Sequence, residues 1–280
     1  MTSFFVNLPL KFTVSHPEYQ SFFLQNKICP ELGLDCLSMD DLPSKWHTEK
    51  AKAFLDKKLK VSVHMPFLDL NPGSLDKYVR EASEKRLVQA VNLAQKYYPS
   101  HIIIHSGYHP GPYDDDYSRW LNNSASTLKN VLKLSKGIPV YLENVYEQDP
   151  TFIKDLINEL DGKAGFCFDL GHWFSFGQGE KNKDLGYWLQ TLAPYLKHLH
   201  LHDNFGDIDE HLGMGAGKIP FVELFAGLEF LSISPTFTLE PHSPEDLEQS
   251  LEFIRKHQYW FSLLGLRKKD FDFLKGIRSF

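Results

Sequence analysis

Short apolar runs rich in β-branched and aromatic residues recur along the whole chain, separated by longer stretches in which polar and apolar residues mix. The runs predict eight strands, at residues 4–8, 32–36, 61–64, 102–105, 140–143, 165–169, 198–202 and 236–240. Between them, apolar positions recur at helical spacing over 41–58, 75–98, 117–135, 150–160, 183–195, 220–228 and 244–257. Pro150, Pro220 and Pro244 suit first helical turns, and Asp149 and Ser243 suit N-caps. Strand and helix alternate throughout, so the fold class expected is α/β with parallel strands. Eight such units make a closed (β/α)8 barrel. Residues 1–258 are expected to form it as one domain, with 259–280 as a C-terminal helical arm packing on the barrel or on a partner subunit.

Composition narrows the partners. The 280 residues, 42% hydrophobic and 24% charged, match a globular enzyme, and 280 is an ordinary length for one such barrel. A net charge of −6 supplies no general pull toward nucleic acid or an anionic membrane. No run approaches the roughly 20 apolar residues of a membrane span. Three cysteines without a CxxC pair (Cys29, Cys36, Cys167) read as thiols of a reducing compartment, so a cytoplasmic location is expected.

The chemistry sits at the ends of the apolar runs. His64, His105, Glu143, Asp169 and Glu240 close five of them, in VSVH, IIIH, VYLE, GFCFD and FTLE, and His200 lies within a sixth, HLHLH. His172 follows in DLGH, and Asp209 and His211 stand in the polar loop 203–217. Residues ending a barrel strand point into its mouth, where barrel active sites lie. Any one strand-end histidine, taken alone, is more often a satisfied core residue than a ligand, and the loop pair is equally a solvated turn. Glu143, Asp169 and Glu240 weigh more, because an ionised carboxylate at the end of a buried strand is costly without a cation or donors. A metal ion among them is the simplest remedy. Imidazole and carboxylate together suit zinc, manganese or cobalt. His198, His200 and His202 share one strand face, and not all three can hold one ion. The loop 106–116, rich in Gly, Pro and Tyr, lies where it could close over the mouth. GMGAG lacks the strand-to-helix placement of a phosphate cradle, and no nucleophile elbow is present.

Taken in order, HMPF, HSG, LEN, DLGH, HLHLHDN, DEH with GMGAG, and LE resemble the xylose-isomerase-like barrel superfamily, which includes the family 2 AP endonucleases (endonuclease IV). The likeness runs from about Val61 to Glu240. It implies a divalent metal, Mn2+ or Zn2+, at the C-terminal mouth and no organic cofactor. By resemblance to the sugar isomerases and epimerases, Glu143, Asp169, His200 and Glu240 hold one ion and the two glutamates transfer a proton. His64, His172, Asn144, Trp173 and His202 would then contact a sugar or sugar-phosphate-like substrate. By resemblance to endonuclease IV, all nine residues bind three zinc ions. His64 and His105 join Glu143 at the first, Asp169, His200 and Glu240 hold the second, and His172, Asp209 and His211 hold the third. Nucleic acid is a partner only in that alternative. DLGH replaces the nuclease DTCH, and FFVNLPL replaces its glycine-containing first strand, so the isomerase or epimerase reading is expected to prevail. A catalytically silent barrel is disfavoured, since every expected carboxylate is in place.

Overall fold

A computed structural model describes residues 4–113 and 115–277. Eight parallel strands close into a barrel in sequence order: β1 (Phe5–Pro9), β2 (Cys29–Gly33), β3 (Ser62–His64), β4 (Ile102–His105), β5 (Val140–Glu143), β6 (Gly165–Asp169), β7 (Leu196–Leu201) and β8 (Thr236–Leu239). β1 pairs with both β2 and β8, which leaves no open sheet edge. Helices cover the outside, among them Ser44–Asp56, Lys77–Ala94, Tyr117–Leu134, Thr151–Glu159, Phe221–Phe230 and Pro244–Lys256. Among the described residues, no helix is long and apolar enough to cross a membrane.

The expected elements recur with informative shifts. β2 lies three residues before its expected place, at 29–33 rather than 32–36. Pro30 breaks the look of a strand, yet it pairs in register with Val6. The stretch expected to be strand instead turns over at Asp35, which exchanges backbone-to-side-chain hydrogen bonds with Ser38 and opens a short wide helix at Leu37–Asp41. The β1–β2 crossover carries helices at Phe12–Ser15 and Pro17–Gln25, where none was expected. Ser243 caps its helix by accepting the Asp246 N–H at 3.1 Å. Asp149 accepts the Thr151 N–H at 2.8 Å, but the N-cap of that helix is Pro150, one residue later than expected. In the segment 259–280, helices Gln258–Leu263 and Lys268–Leu274 bury Phe261, Phe271 and Leu274 against the hydrophobic core.

Register aligns the chemistry. His105 is paired with Glu143 across β4 and β5, and Asp169 with His200 across β6 and β7. The apolar layer between strands and helices sets these positions. One contact in it is Trp188, wholly buried and stacked parallel to Phe168 of β6 at 5.6 Å. Trp188→Ala empties that layer behind the Asp169 strand. It is expected to cost about 3–5 kcal/mol, read as a lower midpoint in urea unfolding.

Candidate metal centre

All nine sequence candidates converge at the C-terminal mouth. Glu143 is the hub: His64 Nε2 lies 2.8 Å from it, His105 Nε2 3.5 Å, His172 Nδ1 3.3 Å and His200 Nδ1 3.3 Å. His200 Nδ1 also faces Asp169 at 3.6 Å and Glu240 at 3.3 Å. Asp209 gathers the outer pair, with His211 Nε2 at 2.7 Å and His172 Nε2 at 3.4 Å. Ligand-capable atoms of His64, Glu143 and His200 lie within 4.8 Å of one another, as do those of His172, Asp209 and His211.

Backbone carbonyls aim three of the imidazoles. Each accepts from an Nδ1–H: His64 donates to Met65 (2.9 Å), His172 to Asn144 (3.0 Å) and His211 to Glu240 (3.0 Å). A carbonyl only accepts, so each Nε2 is left to meet a carboxylate or a cation. His200 runs the other way, with Nδ1 toward the mouth. That nitrogen is fully buried and has no hydrogen-bond partner among the described residues.

These residues fit a divalent ion. Donor atoms that share one ion at 2.0–2.2 Å stand about 3.0–3.5 Å apart. The contacts of His200 Nδ1 with Glu143 and Glu240, both 3.3 Å, have that spacing, and the 3.6 Å contact with Asp169 lies just beyond it. Electrostatics agrees. Burial opposes charge on His172, His200 and His211, but the surrounding carboxylates prevail, and His211 is pushed up to about 9. Burial likewise disfavours charge on Glu143 and Asp169, and the histidines hold both well below the usual carboxylate range. Glu240 departs from the pair: burial first, then Asp169, raises it despite His200. His105, although 3.5 Å from Glu143, is pushed down to about 3 by burial and by the neighbouring imidazoles of His64, His172 and His200. The cluster therefore demands positive charge, and no Lys or Arg ion pair with these carboxylates supplies it among the described residues.

Two loops hold the outer set. Asp203 is buried and accepts backbone N–H bonds from Asn204, Gly215 and Ile219, which folds 203–219 back on itself. Within that fold His211 adopts a left-handed φ of 54°, a strained value for a non-glycine residue. Loop 106–116, of which Asp114 lies outside the described residues, is pinned by buried Tyr108 stacked on Phe152 at 4.3 Å. It reaches the rim through His109, 4.8 Å from Tyr146.

The remaining sequence candidates are placed differently. Asn144, expected at the substrate, is buried and exchanges two hydrogen bonds with the Asp169 backbone, locking β5 to β6. Trp173 is buried too, its Nε1 donating to Asp184 at 2.9 Å. His202 packs under His211, ring on ring at 3.9 Å, with Nε2 3.3 Å from Asp169. Only a glycine at 171 admits that ring, since a Cβ there would stand 1.8 Å from His202. Sequence reasoning missed Glu31, His101 and His242. Glu31 is a wholly buried carboxylate on β2 with His200 Nε2 at 3.0 Å, and His242 stacks on His211 at 3.9 Å. The signal for Glu31 was a lone carboxylate inside the apolar run ICPELGL.

Comparison with known proteins agrees with this architecture. A chain of Methanocaldococcus jannaschii, "Uncharacterized protein MJ1311", is 29% identical over 209 residues, covering 71% of this chain and 70% of its own. "Probable endonuclease 4" of Mycobacterium leprae is 26% identical over 206 residues, covering 67% and 77%. Among solved structures, the TTHB071 protein of Thermus thermophilus, soaked with ZnCl2, superposes with a TM-score of 0.75 at 27% identity, over 93% of this chain and 97% of its own. A D-tagatose 3-epimerase-like protein shares the fold, with a TM-score of 0.69 at 24% identity over 84% and 89%. The family model for the xylose isomerase-like TIM barrel matches residues 27–257, and the chain belongs to that family.

Proposed function

We propose that the chain is a divalent-metal-dependent isomerase or epimerase acting on a sugar or sugar-phosphate-like substrate. The observation that carries this is His200 Nδ1, buried and unpartnered, facing Glu143, Asp169 and Glu240 at 3.3, 3.6 and 3.3 Å. Those four residues would hold one ion, manganese or zinc. When bound, such an ion polarises the oxygens of a substrate.

The protein's own part is proton transfer. One glutamate takes the proton from the carbon α to a carbonyl or hydroxyl, and the other returns one. Glu240 suits the exchanging role better. Four imidazoles crowd the Glu143 carboxylate within 3.5 Å, whereas the Glu240 carboxylate has His200 at 3.3 Å and its other imidazole neighbours no closer than 3.9 Å. Glu240 also keeps 6% of its surface open, against 1% for Glu143. His64 and His172, each slightly open to the mouth, would orient substrate hydroxyls. The rim carries exposed Phe67 and Tyr146, and Phe67 stacks on His105 at 4.5 Å. Flat apolar faces suit the C–H face of a sugar. They are a poor anchor for a DNA backbone, which calls for Lys and Arg.

A second reading has its own observation. His172, Asp209 and His211 form a further ligand-capable group beside the first, and His64 with His105 completes another around Glu143. Three ions in such a cluster suit in-line attack on a phosphodiester, as the likeness to a probable endonuclease 4 allows.

Elemental analysis of protein purified without chelator separates the two. Close to one manganese, cobalt or similar ion per chain is expected, whereas two or three zinc ions favour the phosphodiesterase, to be assayed on abasic-site DNA. Glu240→Gln, nearly isosteric, is expected to abolish isomerisation in a ketose and aldose screen while the circular dichroism spectrum stays that of the parent; full activity would remove Glu240 from proton transfer. His211→Ala is expected to leave an isomerase within a few-fold of wild type. A collapse of phosphodiester hydrolysis in that variant would establish the second reading instead.

A further inference from the structure

The barrel interior beneath the mouth departs from its usual chemistry. Bulky branched aliphatic side chains normally fill it, but this one holds Glu31, Ser62, His101, His198 and Thr238, all buried. The hydrogen bonds among them have a direction. Ser62 and Thr238 each donate a hydroxyl to Glu31 Oε2 at 2.9 Å. With its proton so committed, the Thr238 oxygen is the acceptor for His198 Nε2–H at 2.8 Å. Both donor routes end on one oxygen of Glu31.

The other oxygen, Oε1, stands 3.0 Å from His200 Nε2. The contact is short without being aligned as a hydrogen bond, and neither atom has another hydrogen-bond partner among the described residues. His200 also differs from three of the imidazoles at the mouth. His64, His172 and His211 are oriented by backbone carbonyls, whereas the far nitrogen of His200 meets a side-chain carboxylate. A carboxylate can only accept, so it selects the tautomer with the proton on Nε2 and leaves the Nδ1 lone pair free.

We propose that Glu31 is the positioning residue of His200, fixing its ring and tautomer so that Nδ1 faces Glu143, Asp169 and Glu240; this rests on the reading that a divalent ion binds among those carboxylates. Glu31 itself touches neither ion nor substrate. Its interior cluster of hydroxyls serves to keep the carboxylate in place beneath the ligand.

Cobalt(II) titration against a competing chelator tests it, with the visible d–d spectrum recorded alongside the affinity. Glu31→Gln preserves size and can still accept from Ser62 and Thr238. It is expected to weaken cobalt binding by about 10–100-fold and to change the band positions. Ser62→Ala, which strips one of the two donors from the oxygen turned away from His200 and leaves Thr238 to hold the carboxylate, is expected to lower thermal stability while keeping the wild-type spectrum. An affinity and spectrum unchanged in Glu31→Gln would overturn the proposal. Wild-type protein that takes up no cobalt would instead overturn the metal reading on which it rests. Should Glu31→Gln not fold, wild-type protein labelled with 15N-histidine and loaded with 113Cd decides the matter. Coupling of cadmium to Nδ1 of His200, with Nε2 still protonated, is the expected result, and coupling to Nε2 refutes it.

Discussion

Carboxylates held out of water need cations within reach, and most of this structure's mouth follows from that demand. Glu143 and Asp169 are wholly enclosed and Glu240 nearly so, with Asp209 at their edge. An uncompensated charge in such a place costs several kcal/mol. Every ion-pair partner found for these groups among the described residues is an imidazole. Imidazoles can be protonated, or can lend a lone pair to a metal that supplies the charge in their place. The protein has thus assembled anions and adjustable bases around a small volume and left the choice of cation to what binds there.

The barrel is what makes such crowding feasible. Closure places the ends of all eight strands around one axis, and the parallel register brings His105 beside Glu143 and Asp169 beside His200. The repulsion thereby created is borne by the apolar layer outside the strands, where Trp188 and Phe168 are typical members. Stability and function are separated in space: the outer layer holds the strands, and the strand ends carry the polar load.

Much of this was legible in the chain, for a simple reason. Titratable residues that terminate apolar runs stand out, so His64, His105, Glu143, Asp169 and Glu240 could be read directly, and the family likeness ordered them and singled out His200. Three things were hidden. Pro30 masked β2, and with it Glu31, because a proline in a short run imitates a turn while its ring still fits a strand. Asn144 and Trp173 adjoin site residues in sequence but turn their polar atoms into the scaffold, a choice that depends on neighbours from other strands. The curl of loop 203–219 depends on one buried Asp203 gathering distant amides, which no local pattern announces.

The three imidazoles tied to peptide carbonyls have a consequence for how the site can change over generations. A carbonyl belongs to whatever residue occupies a position, so replacements at Met65 or Asn144 leave the acceptor for His64 or His172 in existence. The aim of those rings is written into the path of the main chain and is insulated from drift in side-chain identity. His200 has no such insurance, since its outer partner is the side chain of Glu31. Within one cluster, then, some members tolerate turnover among their neighbours while one is bound to the fate of a single distant codon.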